Sequence, residues 1–273
     1  MSIPKKIHYC WFGNNPLPQK TINYMESWKK FCPDYEVVKW DESNFDINSC
    51  KFVKEAYKEK KWAFVSDYVR FYAMYTEGGI YIETDSELLK PIDELLKYDS
   101  FFGLAGDDVT LAMCGTTKGN DIAKAVIDKY NNKSFYQKDG SLNTTSINKE
   151  VFDILVDLFD LDTENVNNIQ LLGNNNAIFP EKYFFSYDYM TGLFNIHPEL
   201  YVKHYGDGTW LDSETKKMLE YQHKYVKIFG KRNTSGSIDC IDGLLIITGT
   251  LSCSGENLNT VSEDTSEIGR AHV

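Results

Sequence analysis

The chain has 273 residues, a formal net charge of −11 and 14% aromatic residues. This length supports a sizeable core in one domain, or in one domain with a helical appendage. The acidic excess provides no basic face to neutralise phosphates, which argues against a nucleic-acid partner. The six cysteines include no C-x-x-C pair, so neither a zinc site nor a disulfide framework is indicated. Reduced thiols in a cytosol are the simpler interpretation.

The beginning of the chain does not resemble a signal peptide, because residues 1–6 run directly into a predicted strand. No apolar run approaches the roughly 18–20 residues that a transmembrane helix needs. Residues 244–251 are apolar but too few, and Gly249 interrupts them. We therefore expect a cytoplasmic protein whose membrane contact, at the inner face, is peripheral.

Strands and helices alternate in the predicted order of elements. Apolar runs and helical spacing of apolar residues predict strands at 7–12, 35–40, 80–82, 100–104, 110–114, 168–172 and 177–180, and helices at 18–31, 52–61, 65–77, 92–96, 120–130 and 149–159. This alternation predicts an α/β protein with a doubly wound, mixed sheet. Ligand sites in such sheets lie beyond the carboxyl ends of strands.

Residues 66–85 are the most informative segment. They read SDYVRFYAMYTEGGIYIETD, which predicts a helix, a Gly78-Gly79 break, a short buried strand and then two carboxylates, Glu83 and Asp85. In an extended chain, residues i and i+2 point to the same side. Two carboxylates on one side at a strand end can share a hard cation such as Mn²⁺ or Mg²⁺.

A solvated acidic turn is the alternative, and for an acid-x-acid triplet alone it would be preferred. The buried approach strand and the charged pair Asp67 and Arg70, one helix upstream, favour the metal site. No P-loop, G-x-G-x-x-G or G-x-S-x-G is present in the sequence, which weakens ATPase, dehydrogenase and hydrolase interpretations.

Several motifs in the same order resemble the glycosyltransferases with a DXD sugar-binding region. These include bacterial capsular-polysaccharide transferases, fungal α-mannosyltransferases and, more distantly, clostridial toxin glucosyltransferases. The resemblance extends from about Ile3 to about Arg232 and rests on residues 7–13, 27–28, 32–35, 40, 61–63, 66–70, 78–81 and 83–85. It implies a GT-A type fold, with a Rossmann-like mixed sheet flanked by helices in a single catalytic domain. One departure is Glu83, where the family usually has Asp.

The resemblance also implies roles for individual residues. Asp67, Arg70 and Asp85 would be catalytic, with Asp67 on donor-sugar hydroxyls and Arg70 on the sugar or diphosphate. Asp85 would ligate the metal directly, and Glu83 would contact the ribose or the metal through water. The implied nucleotide-sugar-binding residues are Cys10, Trp11, Asp67, Arg70, Glu83, Thr84 and Trp210, and the implied metal ligands are Glu83, Asp85 and His204. An intrahelical Asp67–Arg70 ion pair, and a core position for Trp11, are the structural alternatives.

A late segment, residues 204–210, resembles the closing His-x(n)-Ser-Trp segment of the family, with Thr209 in place of Ser. Glycines 206 and 208 would let it fold over the diphosphate, where His204 would complete the metal shell or donate to the leaving phosphate. An ordinary surface loop is the alternative.

These features together predict a metal-dependent hexosyltransferase. It would use a nucleotide-diphosphate sugar, with a UDP-sugar favoured over GDP-mannose, and a saccharide or lipid-linked acceptor. Retention of configuration and a role in capsular or other surface polysaccharide synthesis follow from the resemblance. The alternatives are a catalytically weakened nucleotide-sugar binding protein and a metal-dependent nucleotidyl- or phosphotransferase.

The composition changes after Arg232. We expect residues 1–232 to form the catalytic domain and residues 233–273 to be a linker and a disordered tail. The last six residues, 268–273, resemble translated read-through of a sequencing adapter, so we interpret that end as an artefact.

Overall fold

A computed structural model of the chain describes residues 2–173, 175–188, 191–208, 211, 213–229, 238–241 and 244–247. The helices are α1 Gln19–Phe31, α2 Lys51–Lys58, α3 Trp62–Glu77, α4 Asp121–Asn131, α5 Ile147–Phe159, α6 Glu181–Phe184 and α7 Ser213–Phe229, with a 3-10 helix at Asp93–Lys97. The strands are β1 Lys6–Cys10, β2 Glu36–Trp40, β3 Gly79–Ile82, β4 Ser86–Leu88, β5 Ser100–Leu104, β6 Val109–Thr116, β7 Gln170–Leu172, β8 Asn176–Phe179, β9 Tyr187–Asp188, β10 Leu193–Phe194, β11 Val202–His204, β12 Ile238–Ile241 and β13 Leu244–Ile247.

A seven-stranded sheet organises the fold, in the order β2-β1-β3-β6-β5-β8-β7. Strand β1 is parallel to both β2 and β3, and β8 is parallel to β5. Strand β6 is antiparallel to β3 and β5, and β7 is antiparallel to β8. This mixed sheet with flanking helices confirms the predicted α/β fold class.

Helices pack on both faces of the sheet, so its central strands are buried on both sides. Tyr81 joins the core formed with α2, α3, α4 and α5, whereas its neighbours Ile80 and Ile82 join the opposite core with α1 and α6. The three side chains are almost completely buried, and burying an Ile side chain stabilises a fold by about 1.5–3 kcal/mol. Strand β3 is thereby fixed in the sheet, and with it the position of the carboxylates that follow.

The α3–β3 junction depends on two glycines. Gly78 has φ of 71° and Gly79 has φ of 124°, conformations that favour glycine. The carbonyl of Gly78 lies 2.8 Å from Nε2 of buried His8, and Trp40 donates from Nε1 to Nδ1 of the same ring at 3.0 Å. His8 is therefore a strand residue whose two ring nitrogens both have hydrogen-bond partners.

Helix α3 begins at Trp62, three residues before the predicted start. Ser66, expected near the helix N-terminus, instead lies inside the helix and donates to the carbonyl of Trp62 at 3.1 Å. The sequence prediction also missed β4, which pairs with β11. Strand β4 has only three residues, and its partner β11 is more than 110 positions away in the sequence.

Contacts divide the chain into two compact units. One contains residues 1–186 and 196–210, with the seven-stranded sheet and the β4–β11 pair; the other contains residues 187–195 and 211–273. Within the second unit, β9 pairs with β10 and β12 pairs with β13. The last pair lies in the segment expected to be linker and disordered tail, and the sequence did not predict it. The boundary at 232 and residues 268–273 lie outside the described residues and stay predictions.

Over the part of the chain that the structure describes, none of the helices combines the length and apolar character needed to cross a membrane.

Candidate active site at the carboxyl end of β3

Two segments of interest leave the sheet at the same edge. Strands β1 and β3 are parallel neighbours, with His8 opposite Tyr81. Trp11 follows the end of β1, and Glu83 follows the end of β3. Both residues therefore lie directly beyond the carboxyl ends of strands, where ligand sites of such sheets are found, and β1 ends two residues before the predicted position.

The backbone of Glu83 to Asp85 forms a turn between β3 and β4. The amide of Glu83 donates to the carbonyl of Ala112 at 3.0 Å, and the amide of Ser86 donates to the carbonyl of Glu83 at 3.1 Å. The same-side rule for extended residues i and i+2 therefore does not apply here. The two carboxylates of this turn have different partners.

Glu83 is bound by Arg70. The guanidinium donates from Nη1 to Oε1 of Glu83 at 2.6 Å and from Nη2 to Oδ1 of Asp67 at 3.0 Å. It also lies over the ring of Tyr81, at 4.7 Å from the ring centroid, a favourable cation–π arrangement. The Arg70 side chain is only 5% exposed, so it holds both carboxylates in one fixed geometry. The intrahelical Asp67–Arg70 pair, which was the alternative to ligand contacts for these two residues, is present, and the bond to Glu83 was not predicted.

Asp67 lies on α3 and is buried, with 7% of its surface exposed. Burial raises the pKa of Asp67 to about 7, and the positive charge of Arg70 opposes this rise. A carboxyl that titrates near neutral pH can either accept or donate a hydrogen bond to a ligand hydroxyl. Perturbed carboxyls of this kind are concentrated at functional sites.

Asp85 forms a second charged group with His204. Its Oδ1 lies 3.2 Å from Nε2 of His204, and its Oδ2 accepts a hydrogen bond from the amide of Asp207 at 2.9 Å. Burial alone would raise the pKa of Asp85, but the His204 ring and the Asp207 amide lower it below the ordinary value. Burial conversely lowers the pKa of His204, but Asp85 raises it above its ordinary value. Asp85 is therefore anionic, and its charge favours the imidazolium form of His204.

A divalent cation fits Asp85. An ionised carboxylate offers about four lone-pair sites, of which the His204 and Asp207 contacts use two. Mg²⁺ is commonly held by one or two carboxylates together with substrate phosphates, so Asp85 can anchor such an ion. Among the residues described, no three or more His, Cys, Asp or Glu side chains form a group that could hold a metal ion. The set Glu83, Asp85 and His204 stays a prediction.

The other predicted binding residues differ in how the structure places them. Cys10 is buried at the end of β1, and burial raises the pKa of its thiol to about 12. Trp11 is partly buried and donates from Nε1 to the carbonyl of Asn15 at 2.7 Å. Thr84 lies in the turn between Glu83 and Asp85. Trp210 lies outside the described residues, so its predicted role is unchanged.

Sequence reasoning missed the contacts between α1 and segment 204–208. Lys20 forms an ion pair with Asp207, and Tyr24 stacks on Tyr205. Neither Lys20 nor Tyr24 belongs to a motif quoted from the sequence. Their spacing of four residues places them on one helix face, but nothing in the sequence names the segment that this face contacts.

Comparison with known sequences supports the resemblance. Residues 18–102 match the family described as "Glycosyltransferase sugar-binding region containing DXD motif". "Inositol phosphoceramide mannosyltransferase 3" of Schizosaccharomyces pombe is 33% identical over 104 residues, which cover 37% of this chain and 29% of that protein. "Initiation-specific alpha-1,6-mannosyltransferase" of Candida albicans is 26% identical over 102 residues, covering 34% and 26% respectively. "Subversion of eukaryotic traffic protein A" of Legionella pneumophila is 26% identical over 161 residues, covering 46% and 24%.

This chain thus spans less than a third of each of these relatives. Among solved structures, "PaToxG Glycosyltransferase" aligns with a TM-score of 0.45 and 17% identity, covering 60% of this chain and 72% of the other. A glycosyltransferase involved in glycosylation of the PBCV-1 major capsid aligns with a TM-score of 0.39 and 9% identity, covering 79% and 98%. The resemblance predicted from the motifs is confirmed, because residues 18–102, which include Glu83-Thr84-Asp85, match the family model of a glycosyltransferase sugar-binding region containing a DXD motif.

Proposed function

We propose that this chain is a divalent-metal-dependent glycosyltransferase. It moves a hexose from a nucleotide-diphosphate sugar to a saccharide or lipid-linked acceptor, with retention, in surface polysaccharide synthesis at the cytoplasmic face of a membrane. The observation that carries the proposal is the position of two charged groups. One is Arg70 with its partners Asp67 and Glu83, and the other is the Asp85–His204 pair. Both lie at the carboxyl end of β3, and all these residues except His204 belong to the matched region 18–102.

The residues have complementary roles in this reaction. A divalent cation, when bound, supplies positive charge to the diphosphate as the sugar–phosphate bond breaks. Asp85 is the anionic anchor for that ion. Asp67 hydrogen-bonds hydroxyls of the donor sugar, and Arg70 fixes Asp67 and Glu83 while adding positive charge near the leaving group. His204 holds Asp85 in place and can donate a proton to a phosphate oxygen.

The choice of donor sugar is tested directly. The sequence resemblance favours a UDP-sugar, whereas two of the relatives are named as mannosyltransferases. Mannose carried by GDP is therefore tested beside the UDP-sugars.

The experiment is a panel of UDP- and GDP-sugars assayed with Mn²⁺, with Mg²⁺ and with excess EDTA. Release of nucleoside diphosphate that requires the cation supports the transferase. Donor binding without turnover would favour a catalytically weakened binding protein. Free pyrophosphate or a phosphoester product would favour a nucleotidyl- or phosphotransferase. Asp157→Asn is a matched control for changes at Asp85, because Asp157 is an exposed carboxylate on α5.

A further inference from the structure

Segment 204–208 lies against Asp85 and contacts it through backbone groups. The amide of Tyr205 donates to the Asp85 carbonyl at 2.9 Å, and the amide of Asp207 donates to Asp85 Oδ2 at 2.9 Å. Together with the His204 ring on Oδ1, these contacts determine where the carboxylate points. Hydrogen-bonding partners of this kind orient a metal-binding carboxylate.

Helix α1 also contacts this segment, through two side chains. Lys20 Nζ lies 2.5 Å from Asp207 Oδ1. The rings of Tyr24 and Tyr205 stack with centroids 4.2 Å apart and planes 17° apart. An exposed ion pair is weak by itself, but the aromatic stack is a second, independent attachment. Lys20 and Tyr24 are one helical turn apart, so both contact the same segment from one face of α1.

The segment needs such an attachment because its backbone includes flexible positions. Gly206 has φ of 63° and Gly208 has φ of 55°. Glycine at these positions permits the turn but also permits alternative conformations. Contacts outside the segment must therefore select the conformation in which the Asp207 amide meets Asp85.

We propose that Lys20 and Tyr24 are positioning residues for the donor site, because they hold segment 204–208 in the conformation that orients the Asp85 carboxylate. The catalytic consequence of this inference rests on the proposed function. The attachment of segment 204–208 to α1 does not. Loosening the attachment should weaken cation binding by roughly 10-fold, the lower end of the range for groups that orient a metal ligand. It should leave kcat at saturating cation nearly unchanged.

The first measurement is amide hydrogen exchange at Tyr205 and Asp207, resolved to single residues, without donor or cation. We expect faster exchange at both amides in Lys20→Met and Tyr24→Ala, with the thermal midpoint little changed. Lys20→Arg and Tyr24→Phe keep the charge and the ring, and should restore protection. Lys29→Met, an exposed lysine on the same helix, is the matched control and should exchange like the unmodified chain.

The second measurement is Mn²⁺ binding in the presence of UDP, followed by calorimetry, together with the Mn²⁺ dependence of donor hydrolysis. Weaker Mn²⁺ binding in Lys20→Met and Tyr24→Ala, with rescue by the conservative variants, supports the inference. Unchanged exchange at both amides in these two variants overturns it. The exchange result does not depend on turnover. If the chain hydrolyses no donor but the Tyr205 and Asp207 amides exchange faster in the two variants, the proposed function is rejected and the attachment is supported. Lys20 is more than half exposed, so Lys20→Met gives the answer if Tyr24→Ala fails to fold.

Discussion

Arg70 and Glu83 form a direct hydrogen bond of 2.6 Å although they lie 13 positions apart, one on helix α3 and the other just after strand β3. This bond makes the first acid of the Glu-Thr-Asp motif a partner of the buried guanidinium. The second acid, Asp85, pairs instead with His204. The motif therefore joins two charged groups, and its two acids are not equivalent.

We predict that Glu83→Asp reduces both activity and stability. From the sequence alone this change would be mild or even favourable, because it restores the usual family residue. In the structure, the shorter side chain withdraws its carboxylate from Arg70 Nη1, and an imperfectly paired buried charge destabilises a fold. Thermal denaturation and donor hydrolysis of Glu83→Asp and Glu83→Gln test this. If Glu83→Asp is as stable and active as the unmodified chain, Arg70 does not need the longer side chain of Glu at this position.

We predict that Asp85→Asn lowers donor hydrolysis by roughly 10²–10³-fold, the range for removing one group that stabilises developing charge. Asn is nearly isosteric and can still accept the hydrogen bond from the Asp207 amide, so the fold should persist. Nucleoside diphosphate release in Mn²⁺ and circular dichroism check the two parts. Asp157→Asn should behave like the unmodified chain. Undiminished hydrolysis in Asp85→Asn, or in excess EDTA, contradicts the assignment.

We predict that His8 makes the protein less stable in mild acid. Burial lowers the pKa of His8, so the unfolded chain, with an ordinary His pKa near 6.5, binds a proton that the folded protein excludes. The stability that comes from the neutral His8 ring is complete above about pH 6.5. It is lost as pH falls through that value toward the lower pKa of His8 in the folded protein, by at most about 1.4 kcal/mol per pH unit. Urea unfolding between pH 8 and pH 5 measures it.

The matched comparison for this pH effect is His8→Gln against His197→Gln. His197 has a side chain that is 43% exposed, so His197→Gln controls for the loss of a histidine that is not buried. His8→Gln should flatten the slope. An identical slope in His8→Gln and the unmodified chain would mean that other groups cause the acid sensitivity.

We predict that Gly78→Ala destabilises the fold more than Gly119→Ala. The two glycines have similar φ angles, 71° and 74°, but a Cβ at Gly78 would lie 2.7 Å from the amide nitrogen of Lys118, whereas a Cβ at Gly119 would meet nothing within 4 Å. Gly119→Ala should cost about 1–3 kcal/mol, from backbone strain alone. Gly78→Ala should cost more, because a backbone atom must also move. Chemical denaturation measures both, and equal losses would show that the junction adjusts.

The sequence by itself determined the order of most elements and the location of the site. Helical spacing, the Gly78-Gly79 break and the apolar run of β3 are local signals, and they were enough to place most of α3 and β3, but not the turn that follows β3. Strands β1 and β3 are parallel neighbours, so Trp11 and Glu83 follow them at the same edge of the sheet. The motifs around Asp67 and Glu83 were sufficient to indicate the family.

Tertiary structure alone decided which charges meet. Carboxylate and guanidinium groups pair according to their distance in space. The sequence therefore offered the Asp67–Arg70 pair, three residues apart, as an alternative, but it did not indicate the Arg70–Glu83 bond. The short strand β4 forms because β11 lies beside it, since so few residues have too weak a local preference to be strand without a partner. The contacts of Lys20 and Tyr24 with segment 204–208 join residues more than 180 positions apart. Only the fold shows them, because it is the fold that brings these residues together.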